Sequence, residues 1–282
     1  MTSQDRPISR FPVFLTLFLL LASLPAAADD VRSKLPTLED IKKDVDAVPC
    51  DNKDRLAAVK SLFERAGAAA GDIKIDKYDD VENLVVVKKG ESSEKIVIGA
   101  HYDKVANGCG AVDNWTGQVA LSHLYRTFRD VSFKKTLVFV AFGQEERGLV
   151  GSHAMTKAIP EEQLPDYCAM VNIDSLGLGP PQVADNMSGG KKLGELAADL
   201  AKEMKIPFGH GKLGGAYSDS NSFAEKKIPA VTIHGLNNEW SRILHSPFDQ
   251  ASKVNAASVY FGYRLALAMV VRLDQASCAA YK

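Results

Sequence analysis

The chain has 282 residues, of which 46% are apolar, so it can bury the core of one large α/β domain. Its 34 Lys and Arg residues nearly balance its 35 Asp and Glu residues, so no excess of positive charge indicates binding to nucleic acid or to anionic lipid. No internal repeat, low-complexity stretch or linker interrupts the sequence. These features favour a single domain.

The first 28 residues have the pattern of a secretory signal peptide. Arg6 and Arg10 precede an apolar run over residues 11–24, and Pro-Ala-Ala-Ala then gives a cleavage pattern that ends at Ala28. An uncleaved membrane anchor is the alternative, but the run is shorter than the roughly 20 residues that span a bilayer. We therefore expect a secreted or periplasmic protein whose mature chain, residues 29–282, has no membrane contact.

The mature chain begins with helical patterns and then alternates between strands and helices. Thr37 caps a helix predicted from residue 38, and a second helix is predicted over 52–66. Two β-branched runs, 83–87 and 95–100, predict an antiparallel hairpin. Unbroken apolar runs at 96–100, 136–142, 168–173 and 230–233 alternate with helices predicted over 116–129, 149–157, 191–205 and 256–273. Such runs are typical of mostly parallel strands that helices cover.

Polar side chains follow these buried strands at the points where the strands end. His101, Glu145-Glu146 and Asp174 follow the first three runs, and His234 follows the fourth. Because the carboxyl ends of parallel strands meet at one edge of a sheet, these side chains should converge there. Asp113, in a glycine-flanked loop, and His245 would reach the same edge from loops.

Imidazole and carboxylate groups without thiolate are the ligands of a catalytic zinc pair rather than of a closed structural zinc site. A bridging carboxylate plus an imidazole and a carboxylate for each ion would use five ligands. Asp113 is suited to bridge, and Asp103 to orient the imidazole of His101. One of the adjacent Glu145 and Glu146 would coordinate while the other accepts a proton. His234 is a rival to His245, with a hydrogen-bonded histidine lining the site as its structural alternative.

These segments resemble those of the di-zinc aminopeptidase family, whose relatives include glutamate carboxypeptidases and animal-type glutaminyl cyclases. The resemblance covers about residues 83–255 and rests on GAHYD, GAVDNWTG, EERGLVGS, NID, SDSNSFAEKKIPAVTI and HSPFD. It implies an α/β fold with a mixed, mainly parallel central sheet flanked by helices on both faces, in a single zinc exopeptidase domain over 29–282. It also implies two Zn²⁺ per chain, and it assigns a role to each site residue: His101 and Asp174 hold one ion, Glu146 and His245 the other, Asp113 bridges them, and Glu145 is the general base.

The expected function is a secreted metallo-aminopeptidase that acts as a monomer on peptides or proteins with a free N-terminus. Tyr217 or a backbone N–H is a candidate donor to the oxyanion. The main alternative is a single-zinc glutaminyl cyclase, although Leu244 stands where the family's cyclases tend to have tryptophan immediately before the last histidine. A carboxypeptidase of the same clan or a non-catalytic binding domain are further alternatives. Ser220 also departs from the family, which often has histidine there, and this change would affect the substrate pocket.

Export to an oxidising compartment predicts disulfides among the four cysteines. Cys168 begins the strand that ends at Asp174, roughly 20 Å from the metal edge, whereas Cys109 lies in a loop at that edge, so these two should not pair. Cys50 and Cys278 flank the terminal helical regions, and chain termini often lie close together. We therefore predict a Cys50–Cys278 disulfide, with Cys109 and Cys168 unpaired.

Overall fold

The computed structural model describes residues 34–184, 190–209 and 217–282, and the predicted signal peptide lies outside these ranges. Within them, seven strands form one sheet: β1 Ile73–Tyr78, β2 Val81–Lys88, β3 Lys95–His101, β4 Thr136–Phe142, β5 Tyr167–Ile173, β6 Gln182–Ala184 and β7 Ala230–His234. The four predicted apolar runs are strands β3, β4, β5 and β7. The edge strands β1 and β6 were not predicted, since neither contains a continuous apolar run.

The strand order is β1-β2-β4-β3-β5-β7-β6. Four adjacent strands, β4, β3, β5 and β7, run parallel, while β1, β2 and β6 pair in the antiparallel sense. This confirms a mixed, mainly parallel sheet. The predicted hairpin between residues 83–87 and 95–100 is wrong, because β4 inserts between those two strands and pairs with both.

Helices cover both faces of the sheet, as predicted. Ile96 and Ile98 of β3 face one large apolar core, and Val97 faces a smaller one on the opposite side. Helices α1, α2, α3, α5 and α8 contribute to the large core, and α4 and α6 to the small one. The helices are α1 Leu38–Asp46, α2 Asn52–Arg65, α3 Thr116–Phe128, α4 Val150–Lys157, α5 Gly190–Glu203, α6 Ser220–Glu225, α7 Trp240–Ile243 and α8 Ala256–Gln275.

Helix α8 is the one helix in the described part of the chain that is long and apolar enough to cross a membrane. Of its most apolar stretch, 61% is buried inside the fold. The helix packs against α1, α3 and α5, so its apolar composition is that of a core helix.

The disulfide prediction is wrong in its pairing. Cys50 bonds to Cys109 and Cys168 bonds to Cys278. The chain after α8 returns to the start of β5, at the amino-terminal edge of the parallel strands, so Cys278 meets Cys168. The start of α2 lies instead beside the loop that follows β3, where Cys50 meets Cys109. The prediction that Cys109 and Cys168 do not bond to each other is confirmed, but the prediction that both are unpaired is wrong, since each bonds to another cysteine.

Candidate metal centre

Seven predicted site residues gather at the carboxyl edge of the parallel strands. His101 is the last residue of β3, and Asp174 directly follows β5. Glu145 and Glu146 begin a 3-10 turn, Glu145–Arg147, after β4. Asp113 lies in the turn Ala111–Trp115 that precedes α3, and His245 lies just beyond α7. Asp103 follows two residues after His101.

The distances within this cluster suit side chains that could hold a metal ion. His101 Nε2 lies 3.2 Å from Asp113 Oδ1 and 3.6 Å from Asp174 Oδ1. His245 Nε2 lies 3.1 Å from Asp113 Oδ2 and 3.1 Å from Glu146 Oε2. Ligand atoms about 2.1 Å from a tetrahedral zinc ion lie about 3.4 Å from one another. Asp113 therefore directs one carboxylate oxygen at His101 and the other at His245, as a bridging carboxylate would.

Electrostatics also favours a cation here. Hydrogen bonds to Asp113 and Glu146 raise the pKa of His245 to about 10. The pKa of His101 is also raised: burial opposes this, but the charge of Glu145 and bonds to three aspartates outweigh it. Burial raises the pKa of Asp113, yet its two imidazole partners lower it overall. Protons on these imidazoles therefore balance carboxylate charge that a bound metal ion would balance in their place. The imidazole and carboxylate donors fit zinc.

Asp103 lies against the second ring nitrogen of His101 with both its backbone and its side chain. Nδ1 lies 3.2 Å from the backbone carbonyl oxygen of Asp103 and 3.6 Å from its carboxylate. A carbonyl can only accept, so Nδ1 carries a proton in this contact, and Nε2 is the ring nitrogen that could bind a metal. The Asp103 carboxylate also accepts the backbone N–H groups of Glu145, at 2.9 Å, and Glu146, at 3.2 Å. It thereby fixes the turn that presents both glutamates.

Two buried side chains hold the loop that carries Asp113. Asp249 accepts the backbone N–H of Val112 at 2.7 Å and that of Asp113 at 3.2 Å. Asn114 donates to the carbonyl of Ile173 at 2.9 Å, and its oxygen accepts the N–H of Ser175 at 3.1 Å. These bonds join the Asp113 loop to the end of β5, and so to Asp174.

Gly110 allows the tight approach in the same loop. Its φ is 58°, and a Cβ atom there would lie 2.7 Å from the carbonyl oxygen of Asp113 and from Cβ of Lys104. Only glycine meets both conditions without strain. This explains the glycine three residues before Asp113.

Glu145 and Glu146 occupy different surroundings although they are adjacent. Glu146 points at His245, as above, while Glu145 Oε2 lies 4.0 Å from His101 Nε2. Burial raises the pKa of Glu145 well above its ordinary value; the charge of His101 opposes this, and the carboxylates of Asp174 and Asp219 add to it.

Sequence reasoning assigned no role to Asp219 or Asp249. Asp219 is fully buried, neither oxygen has a hydrogen-bond partner among the described residues, and burial raises its pKa to about 7. Burial likewise raises the pKa of Asp249 to about 6. Both lie inside motifs noted above, SDSNSFAEKK and HSPFD. Sequence position could have indicated both residues. Asp219 lies two residues after Tyr217, and Asp249 lies four residues after His245, and Tyr217 and His245 are predicted site residues.

The remaining candidates lie at the margin of the cluster. His234 is buried with no partner for Nε2 in the described structure, and burial lowers its pKa to about 4. Tyr217 is 73% exposed and borders residues 210–216, which are not described, so its role as oxyanion donor stays a prediction. His245 is 58% exposed and has a φ of 59°, an uncommon backbone conformation that aims its imidazole at Asp113 from the solvent side.

Known proteins with similar sequence or fold include both hydrolases and a cyclase. A probable leucine aminopeptidase of Trichophyton verrucosum is 26% identical over 244 residues, covering 79% of this chain and 66% of its own. The structure of BSAP, a zinc aminopeptidase from Bacillus subtilis, matches with a TM-score of 0.63 and 23% identity, over 71% of this chain and 52% of that one. Porphyromonas gingivalis glutaminyl cyclase matches with a TM-score of 0.64 and 16% identity, over 85% of this chain and 98% of the cyclase.

The two structural matches establish the shared fold. The chain spans from 22% to 66% of the length of the first curated relatives that it matches. The sequence model of Peptidase family M28 matches residues 83–270, well over half of the 282 residues, and this range includes every side chain of the metal cluster. The chain therefore belongs to peptidase family M28.

Proposed function

We propose that this protein is an exported di-zinc metallo-aminopeptidase that hydrolyses the first peptide bond of substrates with a free N-terminus. The observation that carries the proposal is the placement of Asp113, which directs Oδ1 at His101 and Oδ2 at His245. Names of the relatives, which include aminopeptidases and a zinc aminopeptidase, support the activity and the metal. The two disulfides support an oxidising compartment and therefore export.

His101 and Asp174 would hold one ion, Glu146 and His245 the other, with Asp113 shared. When bound, zinc would polarise the scissile carbonyl, lower the pKa of a bound water and hold the substrate's α-amine. Glu145 takes the proton of the attacking water and delivers it to the leaving amine. Asp103 keeps Glu145 in place through the backbone of the 3-10 turn.

A single-zinc glutaminyl cyclase is the second candidate, since this chain matches the Porphyromonas gingivalis cyclase over 98% of that enzyme's length. Cyclisation of N-terminal glutamine would need no water as nucleophile. The two imidazoles on opposite oxygens of Asp113 favour the two-metal hydrolase.

A panel of aminoacyl-anilides, an N-acetylated anilide and a peptide with N-terminal glutamine tests the proposal. We expect release from the unblocked anilides only, and no ring closure of the glutamine peptide. Release from the acetylated anilide, or cyclisation without hydrolysis, would contradict an aminopeptidase.

Variants test the assignment of roles. Glu145→Gln should keep zinc but lower kcat by about 10²- to 10⁴-fold, because an amide cannot accept the proton. Asp113→Ala should instead lose zinc. Glu162→Gln, at an exposed glutamate in the turn Glu161–Asp166, is the matched control and should change neither. Equal zinc loss in the Glu145 and Asp113 variants would show that base and ligand are wrongly assigned.

A further inference from the structure

The metal centre is held from outside the family match by the start of helix α2. Three residues there contact the loop over residues 102–110, which joins the His101–Asp103 segment to Asp113. We name Cys50, Asn52 and Arg55 the N-terminal clamp. Cys50 bonds to Cys109, and the Asn52 side chain donates to the carbonyl of Lys104 at 2.7 Å while accepting its N–H at 3.0 Å.

Arg55 makes the most extensive contacts of the clamp. Its side chain is fully buried, with its guanidinium carbon 5.4 Å from the ring centroid of Trp115. Nε donates to the carbonyl of Tyr102, and Nη1 and Nη2 donate to those of Cys109, at 2.9 Å, and Gly110, at 3.2 Å. Nη1 also donates to the carbonyl of Pro49 at 3.1 Å.

The carbonyls of Tyr102 and Gly110 lie at the two ends of the 102–110 loop. The Tyr102 carbonyl is between His101 and Asp103, and the Gly110 carbonyl is three residues before Asp113. The planar guanidinium of Arg55 therefore bonds to both ligand segments at once and sets the distance between them. The ammonium group of a lysine is a compact point charge and cannot bridge them in this way. Burial lowers the pKa of Arg55 to about 10, and the carboxylates of Asp103, Asp113 and Asp249 oppose this shift.

We propose that Arg55 is a positioning residue for the metal centre: with Asn52 it fixes the 102–110 loop so that His101 and Asp113 stand at metal-binding distance. The inference rests on the two-metal site proposed above. It assigns a function to residues 50–55, which precede the matched range 83–270.

Zinc binding to the full-length mature chain tests the inference, measured by competition with a chelating dye, together with melting of the zinc-free and zinc-loaded proteins. We expect Arg55→Lys, which keeps the charge, and Asn52→Ala to weaken zinc binding by roughly 10- to 100-fold. They should also shrink the rise in melting temperature that zinc produces. Arg65→Lys, on the same helix at a half-exposed arginine paired with Asp44, is the control and should match wild type.

A purely structural role would lower both melting temperatures equally and leave zinc affinity unchanged, and that result in Arg55→Lys would overturn the inference. Should the Arg55 variant not fold, Asn52→Ala decides by the same criterion. If wild type binds one zinc only, the two-metal proposal fails separately, and the clamp is judged on the affinity for that ion.

Discussion

Asp249 offers a quantitative test of how Asp113, the proposed bridging ligand, is held. Its two oxygens accept separate backbone N–H groups, of Val112 at 2.7 Å and of Asp113 at 3.2 Å, and the residue is 1% exposed. In Asp249→Asn the amide oxygen can accept only one of them, while the NH₂ group faces the other donor. Loss of one hydrogen bond to a charged acceptor lowers the free energy of unfolding by about 1.5–3 kcal/mol. The displaced Asp113 should weaken zinc binding by roughly 10- to 100-fold.

Asp274 provides a matched control at the other edge of the sheet. It is 2% exposed, and its two oxygens accept the N–H of Lys135, at 2.8 Å, and the side chain of Gln275, at 3.1 Å. Asp274→Asn should therefore lose similar stability in urea unfolding but keep wild-type zinc affinity. Equal zinc affinities in the two variants would refute the role given to Asp249.

Two further predictions concern stability away from the metals. Replacing Cys168 and Cys278 by serine removes a cross-link with a sequence separation of 110. By chain entropy this should lower the free energy of unfolding by about 4.7 kcal/mol. Zinc affinity in a dye competition should stay unchanged, and a loss of zinc affinity would contradict the placement of this disulfide away from the proposed metal site. Burial raises the pKa of Asp44, but bonds from His123 and Arg65 outweigh it and hold the pKa below 3.8. The stabilisation from the lowered pKa of Asp44 is present above pH 3.8 and is lost as pH falls through that lowered pKa. In chelator-treated protein, Asp44→Asn should therefore lower the free energy of unfolding by about 1 kcal/mol at pH 7 and by less at pH 3. An equal loss at both pH values would refute this prediction.

Five of the seven strands and the members of the cluster could be predicted because both depend on local patterns. Apolar runs mark buried strands, and the carboxyl ends of parallel strands meet at one edge, so His101, Glu145 and Asp174 converge. Strand order is not local. Residues 83–87 and 95–100 have the pattern of a hairpin, yet β4 from residues 136–142 pairs between them.

Other features left no readable pattern because their partners are backbone groups or distant cysteines. Arg55 binds four carbonyls, which any sequence supplies, and nothing around it in the chain marks it as buried. The cysteine pairing depends on which edge of the sheet each terminal segment reaches. Proximity of the termini was the wrong guide, since Cys50 lies at the carboxyl edge and Cys278 at the amino edge.

Titration of the zinc-free protein with zinc, followed by activity on an aminoacyl-anilide, tests the two-metal site most directly. Because Asp113 joins both halves of the cluster, we predict that full activity requires two zinc ions per chain. Full activity at one zinc per chain, with no further binding, would contradict the bridging role of Asp113 and favour the single-zinc cyclase.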